Sequence, residues 1–97
     1  MIDLAVVVLT YNEERHIGRA LASVRRIARE TFVVDSFSTD RTVEIAEAAG
    51  AVVLRHAFVN YAKQFEWALA HAPITAAWIL RLDADEIVEP DLADEIE

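Results

Sequence analysis

The stretch Leu82-Asp83-Ala84-Asp85-Glu86 sets three carboxylates directly behind an apolar run. On an extended segment positions i and i+2 share a face, so Asp83 and Asp85 are expected to point the same way. Hard oxygen ligands in such a pair suit Mg²⁺ or Mn²⁺, which bind through one or two carboxylates plus a diphosphate. An isolated Asp-x-Asp is common by chance and is ordinarily a solvated turn. Here, however, two more polar clusters follow apolar runs: Thr10-Tyr11-Asn12-Glu13 and Asp35-Ser36-Phe37-Ser38-Thr39-Asp40. Arg55-His56 follows a further one. The two glycines, Gly18 and Gly50, supply neither a GxGxxG fingerprint nor a glycine-rich phosphate loop. Phosphates bound here would be neutralised by a carboxylate-held cation rather than by the amides of a glycine loop.

Those clusters need elements that end side by side. Residues 4–9 are Val-rich and apolar on both faces, as a buried parallel strand should be. Asn12 then offers an N-cap, and Ile17, Leu21, Val24 and Ala28 form one stripe of a helix over roughly 13–28. A second strand covers 31–34 and ends at Asp35. Asp40 reads as the N-cap of a helix over about 40–49, with Gly50 at its C′ position. Residues 51–54 form strand three. Phe58, Ala62, Phe65 and Leu69 mark a helix over roughly 60–71, ended by Pro73. Strand four, 77–80, runs into Asp83, and Pro90 opens a fourth helix. The order βαβαβαβα predicts an α/β fold with a doubly wound, mostly parallel sheet and helices on both faces. Ligands of such sheets bind at the carboxyl ends of the strands.

Charge and composition exclude several classes. A hydrophobic fraction of 55% rules out intrinsic disorder. The net charge of −8 argues against a nucleic-acid binder, yet residues 1–82 balance nine acids with nine bases. The whole excess lies in residues 83–97, which hold eight acids and no base. From Glu89 onward these read as ordinary surface and helix N-terminal charges. The absence of cysteine fits a reducing compartment. No apolar run approaches the ~20 residues of a membrane span, and no basic region precedes the first one. These features predict a soluble chain in the cytoplasm.

Three segments carry a family resemblance. Val8-Leu-Thr-Tyr-Asn-Glu-Glu14, Val33-Val-Asp-Ser-Phe-Ser-Thr-Asp-Arg-Thr42 and Leu82-Asp-Ala-Asp-Glu86 resemble the nucleotide-binding half of family 2 glycosyltransferases with the Rossmann-like GT-A fold. Asn60-Tyr-Ala-Lys-Gln64 and Trp67-Ala-Leu69 resemble the subgroup with lipopolysaccharide-core β-glucosyltransferases. The resemblance covers residues 1–97, and the truncated last helix makes them look like a partial domain whose acceptor half is absent. It implies a nucleotide-diphospho-sugar donor, with a UDP-sugar favoured, and a glycan or lipid-linked acceptor. The full protein could then work at the inner face of the membrane. Thr10, Tyr11 and Glu13 would line the nucleoside pocket, and Asp35 would accept the uracil imide N–H. Lys63 would face the nucleotide, Asp83 would lie near the ribose, and Asp85 would bind Mg²⁺ or Mn²⁺. The family's usual Asp-Asp-Gly-Ser is Asp35-Ser36-Phe37-Ser38 here, with Phe37 in place of glycine. The general base of an inverting transfer is expected beyond residue 97, so this segment alone is expected to be inactive and to self-associate through open sheet edges.

Other readings compete less well. A sugar-nucleotide nucleotidyltransferase usually carries a glycine- and lysine-rich stretch after its first strand, where this chain has Tyr11-Asn-Glu-Glu-Arg15. A receiver-like signalling domain needs a lysine after its last strand, and the single lysine, Lys63, precedes strand four. His16 and His71 are expected to face solvent from helices, and His56 to end a strand. Trp78 is expected in the core. Trp67 lies about 200° around its helix from Phe65, so it is expected to face a part of the protein outside this sequence or a second subunit.

Overall fold

The computed structural model describes residues 3–88. Seven elements alternate in the predicted order: β1 (Leu4–Thr10), α1 (Ile17–Val24), β2 (Glu30–Asp35), α2 (Thr42–Ala48), β3 (Val52–Arg55), α3 (Tyr61–His71) and β4 (Trp78–Asp83). The four strands form one parallel sheet in the order β3-β2-β1-β4. The expected helix at Pro90 and the acids from Glu89 onward lie outside the described residues.

β1 is central, and every one of its seven residues is buried. Strand alternation divides them between two cores. Leu4, Val6 and Val8 meet Ile17, Ala20, Leu21 and Val24 of α1 together with Ala46 of α2. Ala5, Val7 and Leu9 meet Phe32, Val34 and Ala68 of α3 on the opposite face. Sheet growth therefore proceeds from β1 to β2 and β3 beneath α1 and α2. It then reverses through α3 to place β4 on the other side of β1. That reversal is the topological switch point at which open α/β sheets bind ligands.

α1 is shorter than the pattern of apolar residues suggests. Asn12 does not cap it but takes a left-handed backbone with φ 51°. The amides of Asn12, Glu13 and Glu14 donate to Ser38 Oγ (2.8 Å), Thr42 Oγ1 (2.8 Å) and an Asp40 carboxylate oxygen (3.2 Å). The chain is thus held against the β2–α2 connection, and only at Ile17 is it free to coil. At the end of α2 the Schellman arrangement predicted by Gly50 is present: Gly50 N–H reaches Glu47 O and Ala51 N–H reaches Ala46 O, with Gly50 at φ 89°.

α3 departs from its expected stripe. Its buried residues are Gln64 and Ala68, whereas Phe58, Ala62 and Leu69 are exposed. Phe65 and Trp67 flank that line on either side and both pack on the α3-side core. Trp67 therefore faces this chain's own sheet, contrary to expectation, and its indole is stacked between the rings of His56 and His71 at 4.3 and 4.4 Å. Trp78 is also not core: it is 64% exposed, because β4 has a neighbour on one side only among the described residues. His16 and His71 are exposed as expected, although His71 lies against Trp67. Among the described residues no helix is long and apolar enough to cross a membrane.

Ile17→Ala is expected to cost about 2–5 kcal/mol, since the side chain is fully buried where α1 meets β1. Trp78→Ser should change stability by no more than about 0.5 kcal/mol. Urea unfolding of the two variants checks the contrast, and equal losses would contradict this assignment of core and edge.

Candidate functional site

Parallel pairing brings the carboxyl ends of the strands into line. Thr10 pairs with Asp35 across β1 and β2, Asp35 with Arg55 across β2 and β3, and Leu9 with Asp83 across β1 and β4. The ends of β2 and β1 are locked by a buried carboxylate. Asp35 is 0% exposed and accepts hydrogen bonds from Thr10 Oγ1 (2.7 Å), Ser38 N–H (2.7 Å) and Ser38 Oγ–H. The same Ser38 oxygen accepts the Asn12 amide, so one carboxylate organises both connections. Asn12 Oδ1 in turn accepts Thr39 N–H at 2.8 Å.

A cleft of about 480 Å³ opens at this end, within the ~300–1,000 Å³ range of small-molecule sites. Its floor is Leu9, Thr10 and Ser36. Tyr11 and Glu13 enter from the β1–α1 connection, and Phe58 and Tyr61 from the start of α3. Three of the residues expected to form a nucleoside pocket, Thr10, Tyr11 and Glu13, are therefore together. Glu13 precedes α1 rather than lying within its first turn, and its Oε2 is 3.0 Å from His16 Nδ1.

Other expected residues are placed differently. Asp35 has no exposed surface to offer a base; it acts on the cleft through Thr10 and Ser38, because a buried carboxylate must be satisfied by donors of its own chain. Lys63 is exposed on the first turn of α3, outside the cleft lining, with its amide donating to Asn60 Oδ1 (2.8 Å). Asp83 ends β4, but Ala84 and Asp85 form a turn closed by Glu86 N–H to Asp83 O (2.9 Å). The pair does not share a face of an extended segment. Asp83 is half-buried and Asp85 exposed. Asp40, expected as the N-cap of the second helix, lies one residue ahead of the observed N-cap, Arg41, and its Oδ1 accepts Thr42 N–H at 2.9 Å.

Ser36, Phe58 and Tyr61 were missed as site residues. The signal for Phe58 was present, an aromatic residue just past the end of an apolar strand, but helical spacing assigned it to a core stripe. Gln64 was missed as well. It is buried in α3, where its Nε2 donates to Ser36 Oγ (3.1 Å) and His56 O (3.0 Å), and its Oε1 lies 2.8 Å from His56 Nδ1. It ties α3 to the strand ends beneath the cleft.

Comparison with known proteins identifies this arrangement. The family model for glycosyl transferase family 2 matches residues 5–96. The chain belongs to glycosyl transferase family 2. An uncharacterised glycosyltransferase of Rickettsia bellii is 44% identical over 97% of the chain, and one of Rickettsia felis is 42% identical over all of it. The chain spans about a third of the length of these relatives, 31% and 34%. A dolichyl-phosphate hexose transferase of Haloferax volcanii is 46% identical over 69% of the chain, which covers 30% of that protein. Among solved structures, a mannosyltransferase of Pyrobaculum calidifontis in complex with GDP-Man and Mn²⁺ superposes with a TM-score of 0.77 at 27% identity, covering 97% of this chain and 30% of that one. Glucosyl-3-phosphoglycerate synthase of Mycobacterium tuberculosis, in complex with Mn²⁺, UDP and phosphoglyceric acid, gives 0.75 at 26% identity over 89% of this chain and 34% of that one. The four-stranded parallel sheet with its interleaved helices is thus a Rossmann-like α/β fold that matches GT-A glycosyltransferases.

At the end of β4 in this family 2 chain, three carboxylates, Asp83, Asp85 and Glu86, lie close in sequence. Burial raises the Asp83 carboxyl above its ordinary value, and the neighbouring Glu86 and Asp85 charges add to this against the pull of Arg81. A divalent cation would relieve that crowding. Among the described residues no three His, Cys, Asp or Glu side chains converge on one point. One or two carboxylates with waters and a ligand diphosphate is the set that Mg²⁺ and Mn²⁺ commonly accept, so Asp83 and Asp85 fit such an ion.

Asp40 generates a pH test. Burial acts to raise its carboxyl, but hydrogen bonds from the Thr42 hydroxyl and from the Thr42 and Glu14 amides outweigh it and hold the group below its ordinary value. A depressed folded value means the stabilisation is complete above the unfolded value of ~3.9 and is lost as pH falls through the folded one. Asp40→Asn is expected to be less stable than the parent at pH 7 and to show a shallower decline below pH ~4. Unfolding midpoints measured across that range check both effects.

Proposed function

We propose that this chain is the donor-binding half of a glycosyltransferase that moves a hexose from a nucleoside-diphospho-sugar to a hydroxyl of a glycan or lipid-linked acceptor. One observation carries the reading: at the switch point, Thr10, Tyr11 and Glu13 line a cleft at the end of β1, and the strand paired with β1, β4, ends at Asp83 with Asp85 in the turn that follows. The Mn²⁺, UDP and GDP-Man bound by the two structural neighbours support the donor class, and the dolichyl-phosphate hexose transferase supports a lipid-linked acceptor. Lipopolysaccharide core is the acceptor that the motif resemblance favours.

In this mechanism Thr10, held by Asp35, and Tyr11 orient the nucleoside at the cleft floor. Asp85, with Asp83 two residues before it, would hold the cation. When bound, Mg²⁺ or Mn²⁺ supplies positive charge that offsets the charge developing on the departing diphosphate. The acceptor hydroxyl attacks C1 from the face opposite the leaving group, which inverts the anomeric centre. No residue of this chain is assigned the role of general base; that group belongs to the part of the protein carrying the acceptor site.

Calorimetric titration with UDP, GDP and ADP, each with and without Mn²⁺, tests the reading. Nucleoside diphosphate binding should require Mn²⁺ and should weaken at least tenfold in Asp85→Ala. Binding that is independent of Mn²⁺, or equal in the variant, would overturn the role given to the carboxylate.

A further inference from the structure

The eight aromatic side chains of this chain divide unevenly. Phe32, Phe65 and Trp67 pack on the sheet and Trp78 is exposed at the start of β4, whereas Tyr11, Phe37, Phe58 and Tyr61 are exposed beyond the strand ends. Phe58 and Tyr61 are 48% and 59% exposed, and their rings meet edge to face with centroids 5.1 Å apart. Neither belongs to a hydrophobic core, yet both line the cleft. The backbone beneath them is firmly placed. Asn60 caps α3 through its side chain, and Gln64 ties the first turn to Ser36 and His56. An exposed aromatic pair on a rigid mount gains nothing for folding and leaves apolar ring area facing a ligand-sized space.

We infer that the Phe58–Tyr61 pair is the wall on which the donor's nucleobase stacks, and that it holds the base by its π-face rather than by its hydrogen-bonding edge. The order of groups along the strand ends, in and beside the cleft, supports this. The aromatic pair follows β3, Ser36 follows β2, Thr10 and Tyr11 follow β1, and the carboxylates follow β4. At ~4.8 Å per strand the row spans about 14 Å. It runs from apolar and aromatic to charged, in the same sense as base, ribose and cation-bound diphosphate along an extended nucleotide. The opposite orientation would set the base among carboxylates and leave the diphosphate against two rings. Asp35, the group expected to read the base edge, is fully buried and already accepts three hydrogen bonds. Stacking is tolerant of base identity, since every base has a π-face. Selection between uridine and guanosine at this wall is therefore weak.

This inference rests on the donor-binding reading above, and the test separates the two. UDP, GDP and inorganic pyrophosphate are titrated calorimetrically with Mn²⁺ into the protein, Phe58→Ala, Tyr61→Ala and Phe58→Tyr. The parent should bind UDP and GDP within about tenfold of each other. Both alanine variants should weaken the two nucleotides by roughly fivefold or more, leave pyrophosphate unchanged, and be rescued at position 58 by tyrosine. Undiminished nucleotide binding in both alanine variants would overturn the inference while leaving the donor site standing. Equal losses for pyrophosphate would overturn it too, as they reveal a merely structural effect. A parent protein that binds no nucleoside diphosphate would remove the donor reading and this inference together.

Discussion

A buried carboxylate sets the geometry on which the cleft depends. Asp35 has no contact with solvent, and an unsatisfied charge in that position would be costly. Its acceptors are met by Thr10 from the neighbouring strand and by Ser38 from its own connection. Ser38 passes the constraint on to Asn12, and Asp40 and Thr42 extend it to Glu13 and Glu14. The β1–α1 and β2–α2 connections consequently behave as one unit. The cost of this close fit is local: Asn12 and Phe37 both sit at positive φ, 51° and 59°, a region that non-glycine residues enter with strain. At Phe37 the loop takes a glycine-like backbone without a glycine.

The other side of the cleft is built by a second polar anchor. Gln64 lies within the buried face of α3 and uses its whole amide on Ser36 and His56. His56 also donates its backbone N–H to Asp35 O, which links the two anchors through β3. Together they place three connections at one edge of the sheet without a glycine loop. The resulting surface grades from aromatic rings to carboxylates along the row of strands. That gradient belongs to the order β3-β2-β1-β4, and a different strand order would scatter the same residues.

Much of this was legible in the sequence. Short Val-rich runs alternating with amphipathic segments specify a parallel sheet, because buried parallel strands need apolar residues on both faces. Polar clusters at the run ends mark the carboxyl edge and placed residues 10–13 there, while the choice of Thr10, Tyr11 and Glu13 within that run came from the family resemblance. Turn chemistry was partly readable: Gly50 ends α2 at positive φ as glycine does, whereas the N-cap of α2 is Arg41, one residue past Asp40. Gln64 and Trp67 were not readable. A polar residue on a buried helix face breaks the apolar period, and nothing local reveals that its partners are Ser36 and the His56 backbone.

The sequence by itself therefore determined the element order, the parallel α/β class and the residues at the strand ends, since these follow from periodicity and local backbone preference. Only the tertiary structure decided which strands lie side by side, which face each helix covers, and whether a given polar group turns inward or outward. Asp35 and Asp83 show the difference. Both end apolar strands with an aspartate, yet one is sealed by donors 3 to 25 residues away and the other stands half-open beside Glu86. Their environments arise from contacts between distant segments, and such contacts are energetic choices of the whole fold rather than of any stretch of chain.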